Sequence, residues 1–332
     1  MNDSENKSEI IVKGNGTELN NTKALQGRAK RKMITQKMAL SLIDVARIKG
    51  EDERIPGYWN TFHCQSRVVS SEGKLYGDYC KQRICTVCSS IRKAQIMNQY
   101  LPILREWDEP YFVTLTVKAV PAKWLEGRVK DLLRAFKIIT ERYRKRHQRG
   151  KGKQLIGLKS LECNFNPQAK TYNPHLHLIV PNGEIAETLV NEWCKLWTSK
   201  FVSSAAQNSQ PIRDREKCLM EVVKYGSKIF TEPDLKKKTK QNCSPFIYVS
   251  ALDNILWAMK GHRIFDRCGF NAETSYKRKA GKSMPLKKYD QWDFDPAQSD
   301  WVNSESDEVL TGYMPPAELT VLLANNINLL IE

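Results

Sequence analysis

Only five of the 332 residues are histidine, no run of 18 apolar residues occurs, and no Lys or Arg lies between Asp290 and Glu332. Each scarcity excludes something. Without a long apolar run no membrane-spanning helix is expected. The polar start MNDSENKSEI lacks the apolar core of a secretory leader, so a soluble, cytoplasmic chain with no membrane partner is expected. No GxxxxGK[ST] phosphate loop occurs, which excludes a built-in helicase motor. The nine cysteines are an odd number, scattered apart from one cluster. That argues against a disulfide framework and for a reducing compartment.

What is abundant is positive charge, and it is confined to the body. Nine acidic residues follow Tyr289, so Met1–Tyr289 holds 53 basic residues against 28 acidic ones, a formal +25. The runs RAKRK (28–32), RYRKRHQRGKGK (142–153), KKKTK (236–240) and YKRKAGK (276–282) point to a polyanionic partner, nucleic acid foremost. For any single run, solvated surface is the competing reading. The length suggests about two domains, and composition divides the chain at 1–50 (basic arm and helix), 51–100 (a cysteine-bearing element), 101–289 (the main domain with a basic extension) and 290–332 (an acidic tail).

Periodicity supplies the elements. Residues 1–35 read as a flexible basic arm and 36–50 as a helix ending at Gly50. FVTLTV (112–117) alternates as a strand, and 122–149 carries an apolar stripe from Trp124 to Ile139, the spacing of an amphipathic helix. Residues 155–165 and 174–180 are strands joined by a turn-rich NPQAKTYN, which predicts an antiparallel hairpin. Helices follow at 184–200 and 215–230, then a mixed segment at 246–262, and the tail closes on an apolar helical pattern, AELTVLLANNINLLIE. This order predicts an α+β fold, a central antiparallel sheet with helices packed on one side.

Two of the five histidines sit in YNPHLHLIV (172–180). On a strand, residues i and i+2 share a face, so His175 and His177 project together and are able to bind one cation. A half-buried, hydrogen-bonded pair is the alternative. If the hairpin turn is centred near Gln168–Ala169, Glu162 lies opposite His175 and becomes the third ligand; a one-residue slip turns it to water instead. Downstream, EKCLMEVVKYGSKIF (216–230) places Glu221, Tyr225 and Lys228 at i, i+4 and i+7, one stripe of a helix. Base, phenol nucleophile and phosphate-stabilising ammonium make a reactive set; an ordinary amphipathic helix gives the same spacing. Cys64, Cys80, Cys85 and Cys88 have structural-zinc spacing, with His63 able to replace Cys64 and free buried thiols as the other reading. Cys163, Cys194, Cys218, Cys243 and Cys268 lack such spacing. Tyr248, Trp257 and Tyr276, interleaved with basic residues, offer stacking faces for unpaired bases, whereas Trp193 and Trp197 at i, i+4 read as core.

FVTLTV, NPHLHLIV and EVVKYGSK, in that order, resemble the three motifs of the HUH endonuclease superfamily, in particular plasmid rolling-circle replication initiators, over roughly residues 60–235. The resemblance implies an HUH-endonuclease-like fold in which His175 and His177 bind Mg²⁺ or Mn²⁺. It also implies that Tyr225 attacks a DNA phosphodiester, leaving a 5′-phosphotyrosine and a free 3′-OH. Glu221, one turn before a single tyrosine, resembles the group in which that glutamate activates water for a hydrolytic closing step. Lys228 also matches the pattern, while the third ligand, Glu162, varies among members. The family's cysteine element before the first motif is similar to KQRICTVC, with four residues between Cys80 and Cys85. Origin DNA, duplex and single-stranded, is the implied partner, with strand separation left to a host helicase. A mobilisation relaxase or single-strand transposase shares this chemistry. A non-enzymatic zinc-bearing DNA-binding protein would leave both motifs as coincidences, and a small-molecule zinc hydrolase would leave the charge unexplained.

Overall fold

The computed structural model describes residues 9–12, 16–224, 246–271 and 282–330. Its helices are α1 (Thr22–Lys49), α2 (Ile55–His63), α3 (Thr86–Arg105), α4 (Ala122–Gln148), α5 (Gly183–Leu196), α6 (Arg215–Lys224), α7 (Val249–Ala258) and α8 (Ala317–Asn325). The strands are β1 (Glu9–Val12), β2 (Thr17–Glu18), β3 (Arg67–Ser71), β4 (Lys74–Gly77), β5 (Tyr111–Thr116), β6 (Gly157–Asn166), β7 (Thr171–Val180), β8 (Asn208–Pro211), β9 (Ile247–Tyr248), β10 (Phe265–Cys268), β11 (Lys282–Pro285), β12 (Asp290–Asp295), β13 (Asp300–Asn303) and β14 (Ile327–Asn328). Two compact units result, one from Met1–Ile91, Phe230–Ser250 and Lys277–Ile331, the other from Arg92–Ile229 and Ala251–Tyr276. No helix among the described residues is long and apolar enough to cross a membrane.

The second unit is built on a five-stranded sheet, order β10-β6-β7-β5-β8, with every pairing antiparallel. The α+β class is as expected. β7 is central and buried along most of its length, and its alternation assigns the two faces. Leu176 and Leu178, both fully buried, face one way together with Lys159, the cross-strand partner of Leu178. The Lys159 ammonium lies 5.2 Å over the Phe136 ring of α4, so α4 covers this face with its stripe of Leu125, Val129, Leu132, Phe136 and Ile139. α5 joins it through Trp193, whose indole N–H donates to the Thr116 carbonyl at 3.0 Å.

The opposite face carries His175, His177 and Ile179. Ile179 pairs with Leu158, and on that pair sit Leu219, Val222 and Val223 of α6 and Ile96, Tyr100 and Leu104 of α3. The expected one-sided helix layer is therefore incomplete. Leu158, Ile179 and Phe112 make one end of the second face apolar, and apolar area of that kind is stable only under cover.

The first unit corrects, for residues 22–35, the reading of a flexible arm. α1 begins at Thr22, where the Asn21 side chain accepts the Ala24 N–H at 3.0 Å. Leu25, Ala29 and Met33 extend the apolar stripe one helical period after another. Two of its cations, Arg28 and Lys32, are buried as well. Arg28 donates to Gln65 Oε1 (2.8 Å) and the Leu75 carbonyl (3.0 Å), and Lys32 to the carbonyls of Phe62 (2.7 Å) and Cys64 (2.8 Å). Burial pushes Arg28 down to about 10 and Lys32 down to about 8. The acidic segment supplies β12 and β13 to a second antiparallel sheet, order β13-β12-β3-β4-β2, in which the Trp301 indole is fully buried and donates to the Gln65 carbonyl at 2.8 Å.

Because Leu176 sits fully buried on the strand that both β5 and β6 pair with, Leu176→Ala is expected to remove about 3 kcal/mol of stability. A urea titration checks this as a lower midpoint at an unchanged slope.

Candidate functional site

The hairpin of β6 and β7 runs in unbroken register from Leu158 opposite Ile179 to Asn166 opposite Thr171, which sets Glu162 directly across from His175 and Ser160 across from His177. Glu162 (4% exposed), His175 (5%) and His177 (9%) share one face of two inner strands. His175 Nε2 is 3.4 Å from Glu162 Oε2, and His177 Nε2 is 3.2 Å from Glu162 Oε1. One donor atom from each of the three lies within 4.8 Å of the others.

Neighbours fix how the rings point. The His175 Nδ1–H donates to the Asn173 carbonyl at 2.9 Å, so in the neutral ring Nε2 presents a lone pair toward the carboxylate. His177 Nδ1 is hydrogen-bonded to Thr114 Oγ1 at 3.0 Å, and its ring stacks on Phe112 at 5.0 Å. Glu162 Oε1 is buried without a hydrogen-bond partner. A carboxylate facing an imidazole lone pair in a buried setting is repulsive until a cation lies between them. Two imidazoles and one carboxylate make a donor set that fits a divalent metal ion.

α6 stands on the same face. Its Leu219, Val222 and Val223 pack on Leu158 and Ile179, the cross-strand pair next to Ser160 and His177 on that face. Asp214 starts the helix by accepting the Lys217 N–H at 2.9 Å. Glu221 lies half-buried in its last described turn. Tyr225 and Lys228 lie outside the described residues; Tyr225 follows Lys224, the end of α6, directly in the chain.

The second cluster belongs to the first unit. Cys64 follows α2, Cys80 follows β4, and Cys85 and Cys88 flank the start of α3. Cys64 Sγ and Cys80 Sγ lie 3.5 and 3.7 Å from Cys88 Sγ, and the Cys88 N–H donates to Cys85 Sγ at 3.4 Å. A tetrahedral Zn²⁺ with bonds of about 2.3 Å needs sulfurs about 3.8 Å apart, so the donor set fits that ion. The other three thiols hold Cys85 well below the usual thiol range. Four thiolates and Zn²⁺ sum to two negative charges, and the buried Arg28 and Lys32 are both electrostatically favoured by Cys64. His63 is not part of the cluster; its ring stacks on Trp59 at 5.8 Å. Burial pushes Cys218 and Cys268 up to about 12 and Cys163 higher still, as suits packed thiols; Cys243 lies outside the described residues.

Sequence reading missed Arg28 and Lys32, which it grouped with the solvated basic runs. The available signal was spacing: Leu25, Arg28, Ala29, Lys32 and Met33 fall on one helical stripe that continues into Gln36 and Ala39. Trp193 is fully buried, as the i, i+4 pairing with Trp197 suggested.

The replication protein family matches this chain over residues 74–309. The chain is 30% identical over 154 residues to Protein rep of Streptococcus pneumoniae serotype 2, covering 43% of this chain and 46% of that protein. It is 34% identical over 149 residues to Protein rep of Lactiplantibacillus plantarum, covering 40% and 44%, and 31% identical over 173 residues to Protein rep of Staphylococcus aureus, covering 47% and 72%. The aligned part is under half the length of the first two relatives and nearly three quarters of the third. No solved structure matches the chain.

Two outcomes follow from the geometry. Glu162→Gln removes the charge that faces the imidazoles and is expected to weaken Mn²⁺ binding at least tenfold by calorimetry. Cys85→Ser is expected to lower zinc content from about one per chain toward zero in elemental analysis, with a stability loss of several kcal/mol.

Proposed function

The chain belongs to the replication protein family, and from that premise we propose that it is an initiator of plasmid rolling-circle replication that nicks its origin DNA through Tyr225. The observation that carries this reading is the convergence of Glu162, His175 and His177 on the sheet face to which α6 is anchored. In the chain, Tyr225 is the residue after Lys224 of that helix.

In the proposed reaction the Tyr225 phenol oxygen attacks the scissile phosphorus. A phosphotyrosine bond forms to the 5′ side as the bond to the 3′ oxygen breaks, and the released 3′ oxygen takes up a proton to become the primer hydroxyl. A divalent cation held by Glu162, His175 and His177 would neutralise charge on the non-bridging oxygens and withdraw electrons from phosphorus. The chain's own contribution is placement. The Asn173 carbonyl fixes the His175 tautomer, Phe112 and Thr114 fix the His177 ring, and both strands are held by partners on either side. Lys228, three residues after the nucleophile, balances phenolate and phosphate charge. Glu221, one turn before it, activates water in the closing step, so termination is hydrolytic. The cysteine cluster is assigned a structural Zn²⁺. Duplex opening is assigned to a host helicase, in the cytoplasm.

The test is covalent capture. Wild-type protein incubated with Mn²⁺ and labelled single-stranded origin DNA is expected to give a protein–DNA band on a denaturing gel, and Tyr225→Phe none. An adduct retained by Tyr225→Phe would refute the assignment of the nucleophile.

A further inference from the structure

α4 is longer than the sheet it covers. Its last buried residue is Ile139, yet the helix continues through Gln148, nine residues or about 14 Å further. From Arg144 to Lys153 every residue is exposed. A helical end with no apolar face gains nothing from core packing, so its retention has another cause. The end is also chemically uniform: residues 142–153 contain seven Lys or Arg, one His and no acidic residue. Its ion pairs lie at its two ends, Arg142 with Glu192 at 2.6 Å at the root and Lys153 with Glu184 just past the tip.

Its tip is formed rather than frayed. Gly150 (φ 68°) and Gly152 (φ 103°) take backbone conformations that suit glycine, turning the chain back so that His147 Nδ1 bonds the Gly152 carbonyl at 3.1 Å. Arg144, Lys145, Arg146 and Arg149 are left pointing into solvent around a single rod.

We propose that this projecting end of α4 is a duplex-DNA clamp, contacting phosphates on both sides of a major groove and separate from the nicking site. The inference rests on the reading of the chain as a DNA-nicking initiator and adds the surface that holds the unnicked duplex. A rod 10–12 Å across fits a major groove about 12 Å wide. Duplex is favoured over single strand because the rod exposes no Phe, Tyr or Trp ring for base stacking: Tyr143 is half-buried, with Arg146 lying 5.4 Å over it, and the small His147 ring is tied to the Gly152 carbonyl. Its seven Lys and Arg side chains, set against one exposed amide at Gln148, favour phosphate contacts, which position the protein without selecting sequence.

The experiment uses the full chain with Arg144, Lys145, Arg146 and Arg149 all changed to Gln, a good helix former. Its probes are a 30-base-pair duplex of arbitrary sequence and the single-stranded origin oligonucleotide. Duplex affinity near 0.15 M salt is expected to fall at least tenfold, and the slope of log affinity against log salt to shrink by roughly 0.9 for each lost contact. Tyr225 adduct formation on the single strand is expected to stay within about twofold of wild type. If the fourfold variant does not fold, the four single substitutions are read one by one for the same decrement in slope. Unchanged duplex affinity and slope would overturn the proposal, as would an equal loss on duplex and single strand. A wild-type protein that forms no adduct counts against the nicking reading alone, since the duplex titration is independent of it.

Discussion

One cross-strand pair, Glu162 against His175, decides what the second unit is able to do. The β6–β7 ladder is continuous for nine pairs, and β7 is clamped on its other edge by β5. A slip of one residue would turn Glu162 to the face covered by α4 and leave two imidazoles without a carboxylate. Positions set by backbone pairing on inner strands vary far less than positions set by loops. The same ladder seats Ile179 beside Leu158, and that apolar pair receives α6. Register therefore fixes both the candidate ligand set and the landing place of the helix that precedes Tyr225 in the chain.

The first unit solves a different problem, the burial of charge. Arg28 and Lys32 are held by carbonyls and by Gln65, and they stand in the electrostatic neighbourhood of four thiols. Neither cation would be stable there unpaired. The cysteine cluster, the α1 cations and the loop between α2 and β3 thus form one interdependent polar core, with the Trp301 indole closing it on the Gln65 carbonyl.

Much of this was legible in the sequence because it depends on short-range periodicity. Two-residue alternation gave the His175–His177 face, and the turn centred on Gln168–Ala169 gave the Glu162 register. Spacing alone grouped Cys64, Cys80, Cys85 and Cys88. What escaped was long-range. Nothing local in RAKRK says that two of its cations are internal, because, Thr17 apart, their acceptors lie some 30 to 50 residues away on α2, β4 and the segment joining α2 to β3. The acidic run after Tyr289 likewise conceals two strands, since β12 finds its partner β3 about 220 residues upstream. The second helix layer was hidden in Leu158 and Ile179, which read equally well as interior residues facing either side.

That separation bears on how the chain leaves the ribosome. The second unit has every strand of its sheet by Cys268, whereas the sheet of the first unit waits for Asp290–Asn303 to emerge. During synthesis β3, paired with β4 on one side only, must keep its other edge open while the whole second unit is made, a state open to wrong pairing. Nascent chains that stall before residue 290 would therefore carry one finished five-stranded sheet and one open sheet, and the open one is the readier substrate for quality-control proteases.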